Sequence, residues 1–366
     1  MNENKSTDTI EIKLSFVIIL GVTLLLVIGL TIGLFVVMTR GKDDHLGRGG
    51  AGAPPGGASQ TTATTDVPAS KPGGPLYPTV ETRSSYRPIT SGSVVDISDA
   101  IGANNAMLVK VTDDGLVSTH EKGADAQIYP ASITKVMTLI VACERVTDLD
   151  VKLTVTKELA DFAAANDGSG AGLKVGDEYT VEDLLYLISY KSDTIASMLI
   201  AEHIAGGEEE FVALMNKKAS DLGMSGTHFE NCTGLYNKDH YSTCRDIATM
   251  MAYALDNELA YSCLTSYKGR PMTVGGVDCT FFAGWYSGRP NQNNLGFKDN
   301  PTLSNVKVLG GKTGYTDESG FTFVTVAQDK NGVKYINVMI GKPKGQNYTA
   351  SVFMDDYKKI YNTYAK

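Results

Sequence analysis

Residues 129–146 read Tyr129-Pro130-Ala131-Ser132-Ile133-Thr134-Lys135-Val136-Met137-Thr138-Leu139-Ile140-Val141-Ala142-Cys143-Glu144-Arg145-Val146. From Ile133 to Val146 the apolar residues recur at helical spacing, which predicts a helix. Ser132 and Lys135 stand three apart at its start, so they share a face one turn apart. A serine hydroxyl is a poor nucleophile until a neighbouring base takes its proton. A lysine amine becomes such a base when burial or another cation lowers its pKa. The helix N-terminus adds backbone N–H groups and a positive dipole end where an oxyanion would form. A capping serine followed by a solvated lysine has the same spacing, so the pair alone decides nothing.

On either side of this helix the pattern changes. Asn105–Thr112 alternates apolar and polar positions, Asp113-Asp114-Gly115 turns, and Leu116–His120 returns, which predicts a hairpin. Thr180-Val181-Glu182-Asp183 opens a helix as a capping box. Further helices are expected over 193–205, 208–222 and 244–255. Phe321–Gln328 and Val333–Gly341 are β-rich runs around the turn Asp329-Lys330-Asn331-Gly332, and Tyr348–Tyr364 reads as a closing helix. Strands at both ends with helices between them predict an α+β fold, an antiparallel β-sheet with helices packed on it.

The N-terminal quarter is different. Residues 14–38 carry no charge over 25 positions. As a helix they would reach about 37 Å, enough for a hydrocarbon core of about 30 Å, so one transmembrane helix is expected there, after a tail over 1–13. A cleaved signal peptide would usually have a shorter apolar region ending in small residues. Lys5 and Lys13 precede the run, and Arg40, Lys42 and Arg48 follow it, so positive charge leaves its orientation open. Residues 39–91 are rich in Gly, Pro, Ser and Thr, with seven of the 12 prolines between Pro54 and Pro88. Such a stretch cannot bury enough apolar area to offset its ordering entropy, so it is expected to be a flexible tether. The folded domain is expected over 92–366.

Composition removes some functions. The 366 residues carry 33 Lys plus Arg against 41 Asp plus Glu, a net charge of -8, which argues against nucleic acid as partner. The 5 His and 5 Cys show no C-x-x-C and no H-E-x-x-H, so no metal site is expected. Spacing assigns no disulfide, and free thiols are favoured. Cys143 falls on the helix of Ser132 and reads as a small buried residue.

The second chemical element is Gly310-Gly311-Lys312-Thr313-Gly314-Tyr315-Thr316. A phosphate-binding loop would need glycine at 306, where Val306 stands. On a strand edge, Lys312 supplies positive charge beside a nucleophile, Thr313 can bind a carboxylate, and Gly314 permits close backbone approach. S-x-x-K followed far downstream by K-T-G is the pattern of penicillin-binding proteins and serine β-lactamases. The segments Pro130–Thr138, Thr233-Gly234-Leu235, His240-Tyr241-Ser242-Thr243 and Gly311–Gly320 resemble, in that order, those of low-molecular-mass penicillin-binding proteins of the serine D-alanyl-D-alanine carboxypeptidase family.

The resemblance implies a β-lactamase/transpeptidase-like fold with an all-helical subdomain. It implies that Ser132 attacks the carbonyl between the last two D-alanines of a peptidoglycan stem peptide while Lys135 takes its proton. Backbone N–H groups of Ser132 and Tyr315 would form the oxyanion hole, and Lys312 and Thr313 would hold the terminal carboxylate. The family's middle motif, Ser-x-Asn before an aspartate, aligns with Tyr190-Lys191-Ser192 ahead of Asp193. Tyr190 or Ser192, with Lys312, would then return a proton to the leaving D-alanine. β-Lactams would acylate Ser132, and no cofactor is implied. Stem peptides lie outside the membrane, so the N-terminus is expected inside a bacterial cell membrane with the catalytic domain outside. A β-lactamase stands as an alternative. So does a weak or inactive peptidoglycan-binding module, because of Tyr190 and Ser192. His240 is expected to position its loop and His203 to pack.

Overall fold

A computed structural model of the chain describes residues 89–266, 269–281, 283–284 and 301–366. The expected transmembrane helix over 14–38, the tail over 1–13 and nearly all of the tether lie outside them. Among the described residues no helix is long and apolar enough to cross a membrane.

Six strands make the central sheet: β1 (Thr90–Asp96), β2 (Asn105–Thr112), β3 (Gly115–Lys122), β8 (Val306–Thr316), β9 (Gly320–Asp329) and β10 (Lys334–Ile340), in the order β1-β3-β2-β10-β9-β8. Two predicted turns join two of these pairs. Asp113-Asp114-Gly115 closes β2 onto β3, and 330–333 closes β9 onto β10 in register from Lys334 opposite Gln328 to Ile340 opposite Thr322. The sheet departs from the antiparallel expectation at one edge, where β1 runs parallel to β3. Two reversals account for this. The link 97–104 turns the chain once and the β2–β3 hairpin turns it again, so β1 and β3 point the same way.

Eight helices are described: α1 (Lys135–Cys143), α2 (Lys157–Ala165), α3 (Val181–Tyr190), α4 (Thr194–Ala205), α5 (Glu208–Asp221), α6 (Cys244–Ala254), α7 (Glu258–Thr265) and α8 (Ala350–Tyr364). Every residue of α1 is buried, and α3 to α7 all pack around it. The predicted Thr180 cap is present, its side chain accepting an N–H at the start of α3, and Asp193 and Thr243 do the same for α4 and α6. α6 packs against β2, β9 and β10. α8 lies on the sheet through Phe323, stacked on Tyr357 at 4.7 Å.

The helical region is not all-helical as expected. It carries two ribbons, β4 (Lys152–Thr154) with β5 (Glu178–Thr180) and β6 (Arg270–Val274) with β7 (Val277–Phe281). Three-residue strands are too short to give a period-2 signal. The Gly275-Gly276 turn, at φ 57 and 73, is the one local cue for the second ribbon. His203, expected to pack, is exposed in the last turn of α4.

Candidate active site

The predicted helix over 133–146 begins differently from its pattern. Ala131–Thr134 form a 3-10 turn, and α1 proper starts at Lys135. Ala131 sits at φ 49, a conformation that costs a residue with a side chain about 1 kcal/mol or more. Ser132 rides this turn, half-buried. Two glycines grip the turn from opposite strands of chain. A Cβ on Gly234, at φ +76, would lie 2.1 Å from the Ala131 carbonyl oxygen, and one on Gly314 would lie 2.8 Å from the Ser132 nitrogen. Gly314 was expected to make room for a substrate backbone; the chain itself uses that room, to seat the serine turn against β8.

Lys135 is fully buried, and its Nζ donates to the Thr233 carbonyl at 2.5 Å. Burial pulls its pKa down to about 8, although Cys232, Asp193 and Glu208 draw it back up. The loop carrying Thr233 is held in turn. Thr138 Oγ1 donates to the Cys232 carbonyl at 2.6 Å. Asn231 Oδ1 accepts the Gly234 N–H at 2.7 Å, the Thr233 N–H at 3.2 Å and the Thr233 hydroxyl at 3.0 Å. Nothing in the sequence sets Asn231 apart from an ordinary turn residue.

His240 sits behind the turn, buried. The Glu230 N–H donates to its Nδ1 at 3.2 Å, so the neutral ring carries its proton on Nε2 and donates it to Thr134 Oγ1 at 2.7 Å. Burial lowers its pKa to about 4, so it is neutral at physiological pH and acts by position, in line with the expectation for it.

Lys312 enters from β8, the edge strand of the sheet. It is buried, and Nζ donates to Ser192 Oγ at 3.0 Å and to the Thr313 carbonyl at 2.6 Å. Burial holds its pKa well below the ordinary lysine value, and the Lys135 charge adds to this. Ser192 stands at φ 54 between α3 and α4. Among residues with a side chain, asparagine adopts this region most readily, so the backbone here suits the family's usual residue better than serine. Asp193 pins the loop in place, its carboxylate accepting N–H groups of Ala171 at 2.6 Å and Ala196 at 2.9 Å.

Among the eight residues singled out from sequence, Ser132, Lys135, Ser192, Lys312, Thr313 and Gly314 converge on one locality, and Tyr315 follows on the same strand with an exposed ring. Tyr190 does not join them through its hydroxyl. Its side chain is buried toward α7, bonded to Ser266 and edge-on to Tyr186 at 5.6 Å, and burial raises its pKa. As the last residue of α3, it follows Tyr186 on that helix face. The direction of that shift is opposite to the lowered pKa that would help a tyrosine hydroxyl protonate a leaving amine. Of the aromatic cluster that the sequence carries at Phe281, Phe282, Trp285 and Tyr286, Phe281 lies under Lys191 Nζ at 5.6 Å, and the other three lie outside the described residues.

All five cysteines are unpaired, and burial pushes the thiols of Cys143, Cys232, Cys244 and Cys263 up, so they are inert. Among the described residues no group of three His, Cys, Asp or Glu is placed to hold a metal.

The role expected of the buried Lys135 as base carries a pH dependence. Below about 8 its amine is protonated and cannot accept the serine proton. Acylation of Ser132 should rise about tenfold per pH unit up to roughly pH 8 and level off above it. Stopped-flow acylation between pH 5.5 and 9.5 measures this; a flat profile removes Lys135 as the base.

The family described as D-alanyl-D-alanine carboxypeptidase, peptidase S11, matches residues 93–344, which include every residue of this site. The chain is 34% identical over 266 residues to the D-alanyl-D-alanine carboxypeptidase DacF of Bacillus subtilis, covering 72% of this chain and 64% of that one. It is 31% identical over 227 residues to the D-alanyl-D-alanine carboxypeptidase DacC of Escherichia coli, covering 60% and 52%. The chain thus spans 52% to 64% of the length of these two curated relatives. Its fold superimposes on the crystal structure of the Streptomyces K15 DD-transpeptidase with a TM-score of 0.60 at 25% identity, over 75% of this chain and 98% of that one. A serine turn, two buried lysines on facing elements and this agreement of sequence and fold lead to one assignment: the chain belongs to the D-alanyl-D-alanine carboxypeptidase family, peptidase S11.

Proposed function

We propose that the chain is a serine D-alanyl-D-alanine carboxypeptidase that trims the terminal D-alanine from peptidoglycan stem pentapeptides and is acylated by β-lactams. The observation that carries this reading is Lys135, buried with its pKa lowered to about 8, one turn from Ser132 and acting electrostatically on the second buried lysine, Lys312. Ser132 Oγ attacks the carbonyl carbon between the last two D-alanines, and Lys135 Nζ takes the hydroxyl proton. The tetrahedral oxyanion is met by backbone N–H groups of Ser132 and Tyr315. The C–N bond breaks, and the leaving amine takes a proton by way of Ser192 and Lys312, a relay that their 3.0 Å contact supports. Lys312 and Thr313 hold the terminal carboxylate. Water then attacks the acyl ester and frees Ser132.

The uncharged stretch over 14–38 supports a chain anchored once in a bacterial cell membrane, N-terminus inside, with this domain outside where stem peptides lie. A second reading, a peptidoglycan-binding module of low turnover, is favoured by the Tyr190 hydroxyl being bonded to Ser266.

Mass spectrometry of the penicillin-treated domain, alongside release of D-alanine from a pentapeptide, tests both. A stable adduct with D-alanine release supports the carboxypeptidase. A lasting adduct with no release favours the weak module, and rapid penicillin turnover would instead make it a β-lactamase. No adduct on folded protein removes the enzymatic reading.

A further inference from the structure

Beyond Tyr315, β8 leads to a cleft of about 540 Å³ lined by Tyr315, Phe321, Lys342, Lys344, Tyr348 and Thr349. Tyr315 belongs to both places: it follows Lys312-Thr313-Gly314 in the strand, and its ring is 46% exposed in the cleft wall. Phe321 backs that ring at 5.1 Å.

The two lysines of the cleft differ. Lys344 Nζ is committed to Asp317 at 2.8 Å. Lys342 is half-buried with Nζ 5.8 Å from the centroid of the Tyr348 ring, and it makes no ion pair among the described residues. The Tyr348 ring is itself fixed, because its hydroxyl donates to Asp356 Oδ2 at 2.6 Å and the Gly102 N–H donates to the same oxygen at 2.7 Å. A cation held over a fixed aromatic face, with its stem partly out of water, presents a preorganised partner for a carboxylate.

The proposed reaction gives the direction in which a substrate leaves the catalytic locality. Its terminal carboxylate lies at Lys312 and Thr313 and its scissile carbonyl at the Tyr315 N–H. The peptide upstream therefore continues past Tyr315 along the open edge of β8 toward Thr316 and Asp317, at about 3.3 Å per residue. Two or three residues before the scissile bond it reaches the mouth of the cleft. The Asp317 carbonyl accepts the Lys344 N–H at 2.8 Å, which ties this end of β8 to the loop that carries Lys342.

We propose that this cleft binds the part of the donor peptide upstream of the scissile bond, and that Lys342 pairs with a free carboxylate there. The proposal rests on the carboxypeptidase reading and adds a preference for acidic peptides. Two peptides ending in D-Ala-D-Ala test it, identical except that one bears a free carboxylate two residues before the scissile bond and the other the corresponding amide. Their dissociation constants are measured by NMR titration of Ser132→Ala protein, which binds without turnover. The acid should bind about fivefold tighter than the amide, Lys342→Gln should erase the difference, and Lys344→Gln should largely keep it. Equal binding of the two peptides, binding of neither, or a preference that survives Lys342→Gln overturns the proposal. Penicillin acylation of the unsubstituted protein separates the two levels. A folded protein that is not acylated sinks the carboxypeptidase reading, whereas an acylated one without the acid preference sinks only the cleft.

Discussion

Ser132→Ala protein mixed with a β-lactam should keep its unmodified mass, and Lys135→Ala should acylate at least about 10³-fold more slowly than the unsubstituted chain. The two losses have different origins. Without Ser132 there is no oxygen to carry the acyl group. Without Lys135 the oxygen remains, but the other buried amine of the site, Lys312, is engaged with Ser192 and the Thr313 carbonyl. Lys135→Arg should fail nearly as badly, because a guanidinium keeps its proton at every accessible pH. Intact-protein mass spectrometry over a time course reads both, and circular dichroism checks the fold. Acylation of Lys135→Arg at an unchanged rate would mean that another group accepts the proton.

The second large effect comes from a residue with no side chain. In Gly314→Val the new Cβ would stand 2.4 Å from Thr322 Oγ1 and 2.8 Å from the Ser132 nitrogen. The serine turn has to retreat from β8, and a shift near 1 Å at a reacting group costs about 10²-fold. Acylation should fall by that factor or more, and the melting temperature should drop by several degrees. Gly206→Ala provides the contrast. Gly206 ends α4 at φ +83 with nothing within 4 Å of a new Cβ, so the change should cost about 1 kcal/mol through the backbone and leave acylation alone. Comparable acylation losses in both variants would trace the effect to general destabilisation.

These residues also show how far the sequence could be read. Asp113-Asp114-Gly115 and 329–332 announced their hairpins because turn chemistry is local. Thr180 announced its helix for the same reason. The pairing of β1 with β3 was invisible, because it follows from two chain reversals and no residue encodes it. Ser132 and Lys135 could be placed together from spacing alone, since one helical turn separates them. Ser192 and Lys312 lie 120 residues apart, and only the resemblance to a family of known pattern joined them beforehand. Tyr190 was hard to place from sequence because a side chain at a helix end can follow either the helix face or the loop. Here Tyr186 and Ser266 supply a ring face and a hydrogen bond on the helix side. Asn231 organises the turn that receives Lys135 through three bonds accepted by its Oδ1, and a lone asparagine in a loop gives no hint of that.

The order of the sheet places the two ends of the domain's workload apart. β1, where the chain enters, is five strand spacings from β8, about 24 Å at roughly 4.8 Å each. A pull transmitted along the preceding polypeptide would load the β1–β3 seam first. Its bulge between Ser91 and Val95 interrupts the ladder there, so that rim would peel before the opposite one is strained.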